Sequence, residues 1–201
     1  MTYQSIADIY AANERVRRKL TERVENLSEA QQRFRPADNA WSIAEIIEHL
    51  AMLEHQMVQL IGMLLKKSEG ASAAATTATT DGDGATEAAA SNAPGFQPFS
   101  LDSFIERVRD EKLTAPEQVR PSGGVSLAEG LVNLRRTRAA LEDLRPRLES
   151  ATNLGAATYA HPAFGEFNSA QWLAFIGLHE GRHLRQIENL MAAPGFTQGE
   201  G

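Results

Sequence analysis

Residues 168 to 190, NSAQWLAFIGLHEGRHLRQIENL, constrain this chain more than any other stretch. Asn168 and Gln171 have the spacing of a capping box, and Trp172, Phe175, Ile176, His179, His183, Ile187 and Leu190 follow at three- and four-residue steps. The spacing predicts one helix with one inward stripe, apolar except at His179 and His183. Two imidazoles one turn apart, where the pattern asks for Leu, have two readings. Neutral imidazole hydrogen-bonds readily, so each can be a satisfied core histidine. A pair at i and i+4 also brings two ring nitrogens within chelating reach of one cation, and a third histidine strengthens that reading.

A second helix supplies the third. Ser42 and Glu45 form another capping box, and the helix they open carries Ile46, His49, Leu50, Leu53, Met57, Leu60, Ile61 and Leu64 on its inner face. Glu45 lies one turn before His49 and is a candidate acceptor for that ring or an extra ligand. His55 points away and reads as a surface residue. Two more amphipathic helices complete the pattern. Ile6, Ile9, Asn13, Val16, Leu20, Val24 and Leu27 mark the first, with the basic run RVRRK read as its solvated face. Ser126 and Glu129 cap another with Leu127, Leu131, Leu134, Leu141 and Leu148 inward, which Pro146 is expected to bend or end early.

Four such helices with no strand-period segment predict an all-α four-helix bundle. One domain is expected over 1–195, interrupted at 68–95 by an Ala/Thr-rich stretch too poor in large apolar groups to pack, hence a flexible insertion between the second and third helices. An insertion of that length allows those two helices to run parallel. A short helix is expected from Leu101 to Leu113, and NLGAATYAHPAFGEF reads as a loop leading into the last helix.

Composition narrows the chemistry. A net charge of −6 disfavours nucleic-acid partners, and the absence of cysteine excludes disulfides, thiolate ligands and a cysteine nucleophile. With no signal-like N-terminus and no long apolar run, a cytoplasmic protein without membrane contact is the expectation. Three converging imidazoles with an open position would match a catalytic zinc site, although neutral nitrogen ligands suit nickel and iron too. His179-Glu180-Gly-Arg-His183 also fits H-E-x-x-H, in which the Glu is a general base. Too little chain follows His183 to bring a third ligand on a later helix, so a metalloprotease is disfavoured, and Glu180 is expected on the solvent side or just behind the ligands, where its carboxylate is a candidate for proton transfer.

WSIAEIIEHL (41 to 50), RPSGGVSLAE (120 to 129) and HPAFGEFNSAQWLAFIGLHEGRHLRQI (161 to 187) resemble the DinB-like superfamily of metal-dependent enzymes over nearly the whole chain. The resemblance implies an up-down-down-up bundle, commonly a homodimer, with His49, His179 and His183 as metal ligands. It also implies zinc or nickel, and for some members a low-molecular-weight thiol such as bacillithiol or mycothiol. A thiol-dependent S-transferase acting on small electrophiles is therefore the leading expectation. The alternatives are a metal-hydroxide hydrolase of small molecules and a non-catalytic metal-binding bundle. Trp41, His161, Phe164 and Phe167 are candidates to line the mouth of the site against a small-molecule substrate, or else to staple helix starts.

Overall fold

A computed structural model describes residues 2–78, 95–102, 106 and 115–196, built on four long helices: α1 (Ile6–Val24), α2 (Ile43–Ala78), α3 (Leu127–Ser150) and α4 (Ser169–Met191). The last three start where their capping residues predict, and α1 starts at a cap that was not foreseen, Ser5. Ser5 Oγ accepts from Asp8 N–H, and reciprocal boxes join Ser42 to Glu45, Ser126 to Glu129 and Asn168 to Gln171. These bonds satisfy amide groups that have no acceptor within the first helical turn.

Contacts between the helices set their directions. Along α1 and α4 the partners rise together, Asn13 with Leu173, Arg17 with Glu180 and Arg23 with Glu188, so these two are parallel. So are α2 and α3, where Gly130 lies against Ile47 and Arg147 pairs with Glu69. Between α1 and α3 the order reverses, Tyr10 donating to the Leu141 carbonyl and Arg138 to Thr21. The result is an up-down-down-up bundle, in which the consecutive parallel pair α2 and α3 needs a connection back along the bundle rather than a tight hairpin.

The core is split in two. One cluster gathers Ile9, Tyr10, Ile61, Leu64, Leu141, Phe167 and Leu173, the other Leu20, Ile43, Ile46, Leu134, Leu184 and Ile187. On every helix the gap between them is filled by polar residues: Asn13 and Arg17 on α1, Glu54 on α2, Thr137 and Arg138 on α3, Glu180 on α4. Arg17 is only 2% exposed and corrects the reading of RVRRK as a solvated face. It sits four residues after Asn13 and three before Leu20, in phase with the inward stripe, while Arg15, Arg18 and Lys19 are exposed.

Other departures are local. The helix α2 does not stop near Ser68 but runs to Ala78, with Ser68 buried and Glu69 held by Arg147. The expected flexibility of residues 79–94 and most of the short helix expected over Leu101–Leu113 lie outside the described residues. Pro146 does not end α3 early, because both it and Glu142, whose carbonyl loses its amide donor, are exposed to water. Short strands appear where none was expected. β1 (Thr2–Tyr3) pairs with β2 (Phe99–Ser100), and β3 (Thr158–His161) forms a hairpin with β4 (Gly165–Asn168) just before α4. Such short strands are below the length at which two-residue alternation can be read. No described helix is long and apolar enough to cross a membrane.

Candidate metal centre

His49 reaches the bundle interior from the early part of α2, and His179 and His183 meet it from the middle of α4. Nε2 of His179 lies 3.4 Å from Nε2 of His49 and 3.2 Å from Nε2 of His183, and one ligand atom from each ring falls within 4.8 Å of the others. Nitrogens bound at 2.0–2.1 Å to a tetrahedral ion stand about 3.3–3.4 Å apart, so His179 is at chelating separation from both other rings.

The far nitrogens explain why the near ones converge. Nδ1 of His49 is 2.6 Å from the Val119 carbonyl oxygen, which can only accept, so this nitrogen carries the proton. Nδ1 of His183 is 2.8 Å from Oε1 of Gln186 in the same sense. Both rings therefore turn an Nε2 lone pair toward His179, whose single remaining proton cannot serve both. A cation between the three resolves that clash of lone pairs, and on this ground the residues fit a divalent metal.

Burial keeps the rings neutral. It lowers the pKa of His49 against the upward pull of the Val119 bond, and lowers His179 well below the ordinary value with help from His183 and His49. His183 falls to about 3 through burial and the nearby His49, partly offset by Gln186. Neutral imidazole is the ligand form, so protons compete weakly for these sites near neutrality.

The loop that carries Val119 is itself anchored from α2. Oε1 of Glu48 accepts from Ser122 N (2.9 Å) and Ser122 Oγ (2.7 Å), and Oε2 accepts from Gly123 N (3.2 Å). Gly123 has φ +74°, a left-handed conformation that other residues rarely adopt. Glu48 and His49 are adjacent, so one turn of α2 supplies both the ring and the anchor of the loop that orients it.

The other expected site residues divide. Trp41 covers one side, its ring centroid 4.9 Å from that of His49 and nearly parallel to His183 at 6.5 Å. His161 and Phe164 stack at 4.3 Å on the β3–β4 hairpin and adjoin the triad through Phe175, which is 4.7 Å from His161 and 6.1 Å from His179. Burial takes His161 down to about 4. Phe167 is fully buried among core residues, which is the staple reading rather than the mouth. His55 is exposed, as expected.

Glu45 is not the acceptor for His49. Its carboxylate caps α2 at Ser42 N and pairs with Arg35 at 2.6 Å, and Val119 takes the role instead. Glu180 does not face solvent but is buried, and it is turned from the triad to Arg138 at 2.7 Å and Arg17 at 3.5 Å. Sequence reasoning missed Val119, Gln186 and Glu48. Gln186 was the one with a signal, three residues after His183 and so on the same helix face.

Comparison with known proteins agrees with this fold. The uncharacterized protein YuaE of Bacillus subtilis (strain 168) is 22% identical over 172 residues, spanning 83% of this chain and 87% of that protein. Two solved structures share the fold. TT2238, a four-helix bundle protein, superposes with a TM-score of 0.57 at 18% identity, covering 92% of this chain and 99% of the other. YfiT from Bacillus subtilis, described as a probable metal-dependent hydrolase with an unusual four-helix bundle topology, gives 0.56 at 14% identity, covering 96% and 89%. Residues 12–187, which hold all three imidazoles, match the model of the DinB superfamily, and the chain belongs to that family.

Proposed function

We propose that this protein is a metal-dependent enzyme of small molecules, a thiol-dependent S-transferase acting on small electrophiles. His49, His179 and His183 would hold a divalent cation, zinc or nickel, leaving a position for a reactant. Such an ion supplies Lewis acidity that favours the thiolate form of a bound thiol. The observation that carries the reading is the approach of three neutral Nε2 atoms at 3.2 and 3.4 Å, two of them with their outer nitrogens already engaged.

The chain's own residues bind and orient. Val119 and Gln186 fix the rings, and Trp41 covers the His49 side against water. The chain has no cysteine, so a thiol nucleophile must come from outside. The buried carboxylates near the ligands, Glu45, Glu48 and Glu180, are each tied to other partners, which supports activation by the ion rather than by a general base. A homodimer belongs to this reading on the family resemblance alone, and a cytoplasmic location is proposed with it.

The description of YfiT favours a second reading, hydrolysis of a small molecule with water in place of the thiol. Purified protein reconstituted with zinc or nickel separates them. Thiol-dependent conjugation of a model electrophile, abolished by His183→Ala, is the expected result. A rate indifferent to thiol and governed by one ionisation near neutrality points to the hydrolase. Metal content far below one ion per chain after reconstitution removes both.

A further inference from the structure

The outer face of α3 carries an apolar repeat. Val132, Ala139 and Pro146 recur on it at seven-residue steps, and all three are exposed, Val132 at 45%. A step of seven keeps residues on one side of a helix and is the spacing by which helices pair lengthwise. At the start of α3 the same face lines an open groove of about 540 Å³, with Gly124, Val125, Ala128 and Val132 in its wall.

Charge follows the same step. Arg135 and Glu142 run along one edge of the face, Arg136 and Asp143 along the other, and all four are exposed. Their bonds within the chain are slight. Arg136 donates to Asn133 at 3.1 Å, Glu142 lies 3.8 Å from Arg145, and Arg135 and Asp143 make no hydrogen bond or ion pair with any described residue. Both edges are therefore basic on the N-terminal side of Ala139 and acidic on its C-terminal side. A partner matches that pattern when its charges run in the opposite order, and a second copy of α3 laid antiparallel has that order on both edges at once. Laid parallel in register, two copies would set arginine against arginine.

We propose that the outer face of α3 is the surface through which two copies of this chain pair, antiparallel about a two-fold axis at Ala139. This rests on the homodimer named above and gives it an interface. The axis brings Arg135 to the partner's Glu142 and Arg136 to the partner's Asp143, and repeats both contacts in reverse. Val132 meets the partner's Pro146, and the two Ala139 side chains, small enough for close approach, meet at the axis. Ion pairs at the rim add little affinity in water, but they fix direction and exclude the parallel arrangement. The partner's last turn of α3 then lies in the groove, whose rim at Gly124 follows the Gly123 turn held by Glu48, so the pairing also borders the loop that carries Val119.

The test is sedimentation equilibrium of the full chain in three forms: the wild type, Arg135→Glu with Arg136→Glu, and Glu142→Arg with Asp143→Arg. The wild type should dimerise. Each reversal sets like charge against like on both edges and should weaken self-association about a hundredfold or more. An equimolar mixture of the two variants should restore the dimer, because each carries the charges the other needs, and that recovery also shows both to be folded. Ala139→Arg, which places like charges at the axis itself, should weaken the dimer by a comparable factor without touching the other charges. A dimer that survives either reversal or Ala139→Arg, or a mixture that stays monomeric, overturns this interface while leaving the homodimer intact. A monomeric wild type overturns both.

Discussion

Arg138 on α3 places Nη2 2.7 Å from Oε1 of Glu180, so the residue next to His179 of the imidazole cluster is fastened to the opposite side of the bundle. That contact decides what the run His179-Glu180-Gly181-Arg182-His183 is for. In H-E-x-x-H enzymes the carboxylate must reach water at the metal, whereas here it serves a buried ion pair between helices.

Glu180→Gln should therefore act on stability more than on metal binding. Removing one partner of a buried pair leaves the other charge uncompensated, at a cost of about 3 kcal/mol, read from urea unfolding. Metal stoichiometry should stay at the wild-type level. A variant as stable as the wild type but devoid of catalysis would restore Glu180 as a general base.

The close approach of α1 to α4 rests on Gly177. A Cβ there would lie 2.1 Å from Asn13 Oδ1, and Asn13 cannot simply swing aside because its Nδ2 donates to the Leu173 carbonyl at 2.9 Å. Gly177→Ala should cost about 1–3 kcal/mol, the usual range for overpacking. With Asn13→Ala in the same chain the two losses should sum to more than the double variant shows, because the colliding atoms are gone. Strict additivity in a double-mutant cycle would place the strain elsewhere.

Glu54 gives the bundle a pH-dependent term. Burial and the Glu180 carboxylate push its pKa from 4.5 up to about 7, against the pull of Arg17 and Arg138. The folded state thus holds a proton that the unfolded chain releases. The stability this confers is complete below the unfolded value and is lost as pH rises through about 7. Buried imidazoles pull the opposite way in the metal-free protein, since their lowered pKa values remove stability as pH falls. A difference between variants isolates the carboxylate. From about pH 5 to about pH 8, wild type should lose stability relative to Glu54→Gln, and parallel curves for the two proteins would contradict the shift.

Glu48 should behave as a positioning residue for His49. Glu48→Ala frees the Ser122–Gly123 turn, and with it the Val119 carbonyl that fixes the ring. Outer partners of this kind are worth about 10- to 100-fold in metal affinity, so competition with a chelator should show a loss in that range. Glu48→Gln, which keeps an acceptor oxygen, should recover part of it. A general loss of packing would instead lower the unfolding midpoint of both variants without changing the cobalt spectrum of the folded fraction.

Much of this molecule was readable along the chain. Capping pairs at Ser42, Ser126 and Asn168 located helix starts, apolar steps located inward faces, and His49, His179 and His183 stood out as imidazoles on such faces. These are local properties: a cap bonds within one turn, and periodicity reports which residues share a side of one helix. What each inward polar group would meet was decided by the assembled bundle. Arg17 is tolerable inside only because Glu54 and Glu180 arrive from two other helices, and His49 is oriented by a carbonyl distant in sequence. Helix period carries no information about such partners, since opposite charges and acceptors are matched by the packing of helices far apart in the chain.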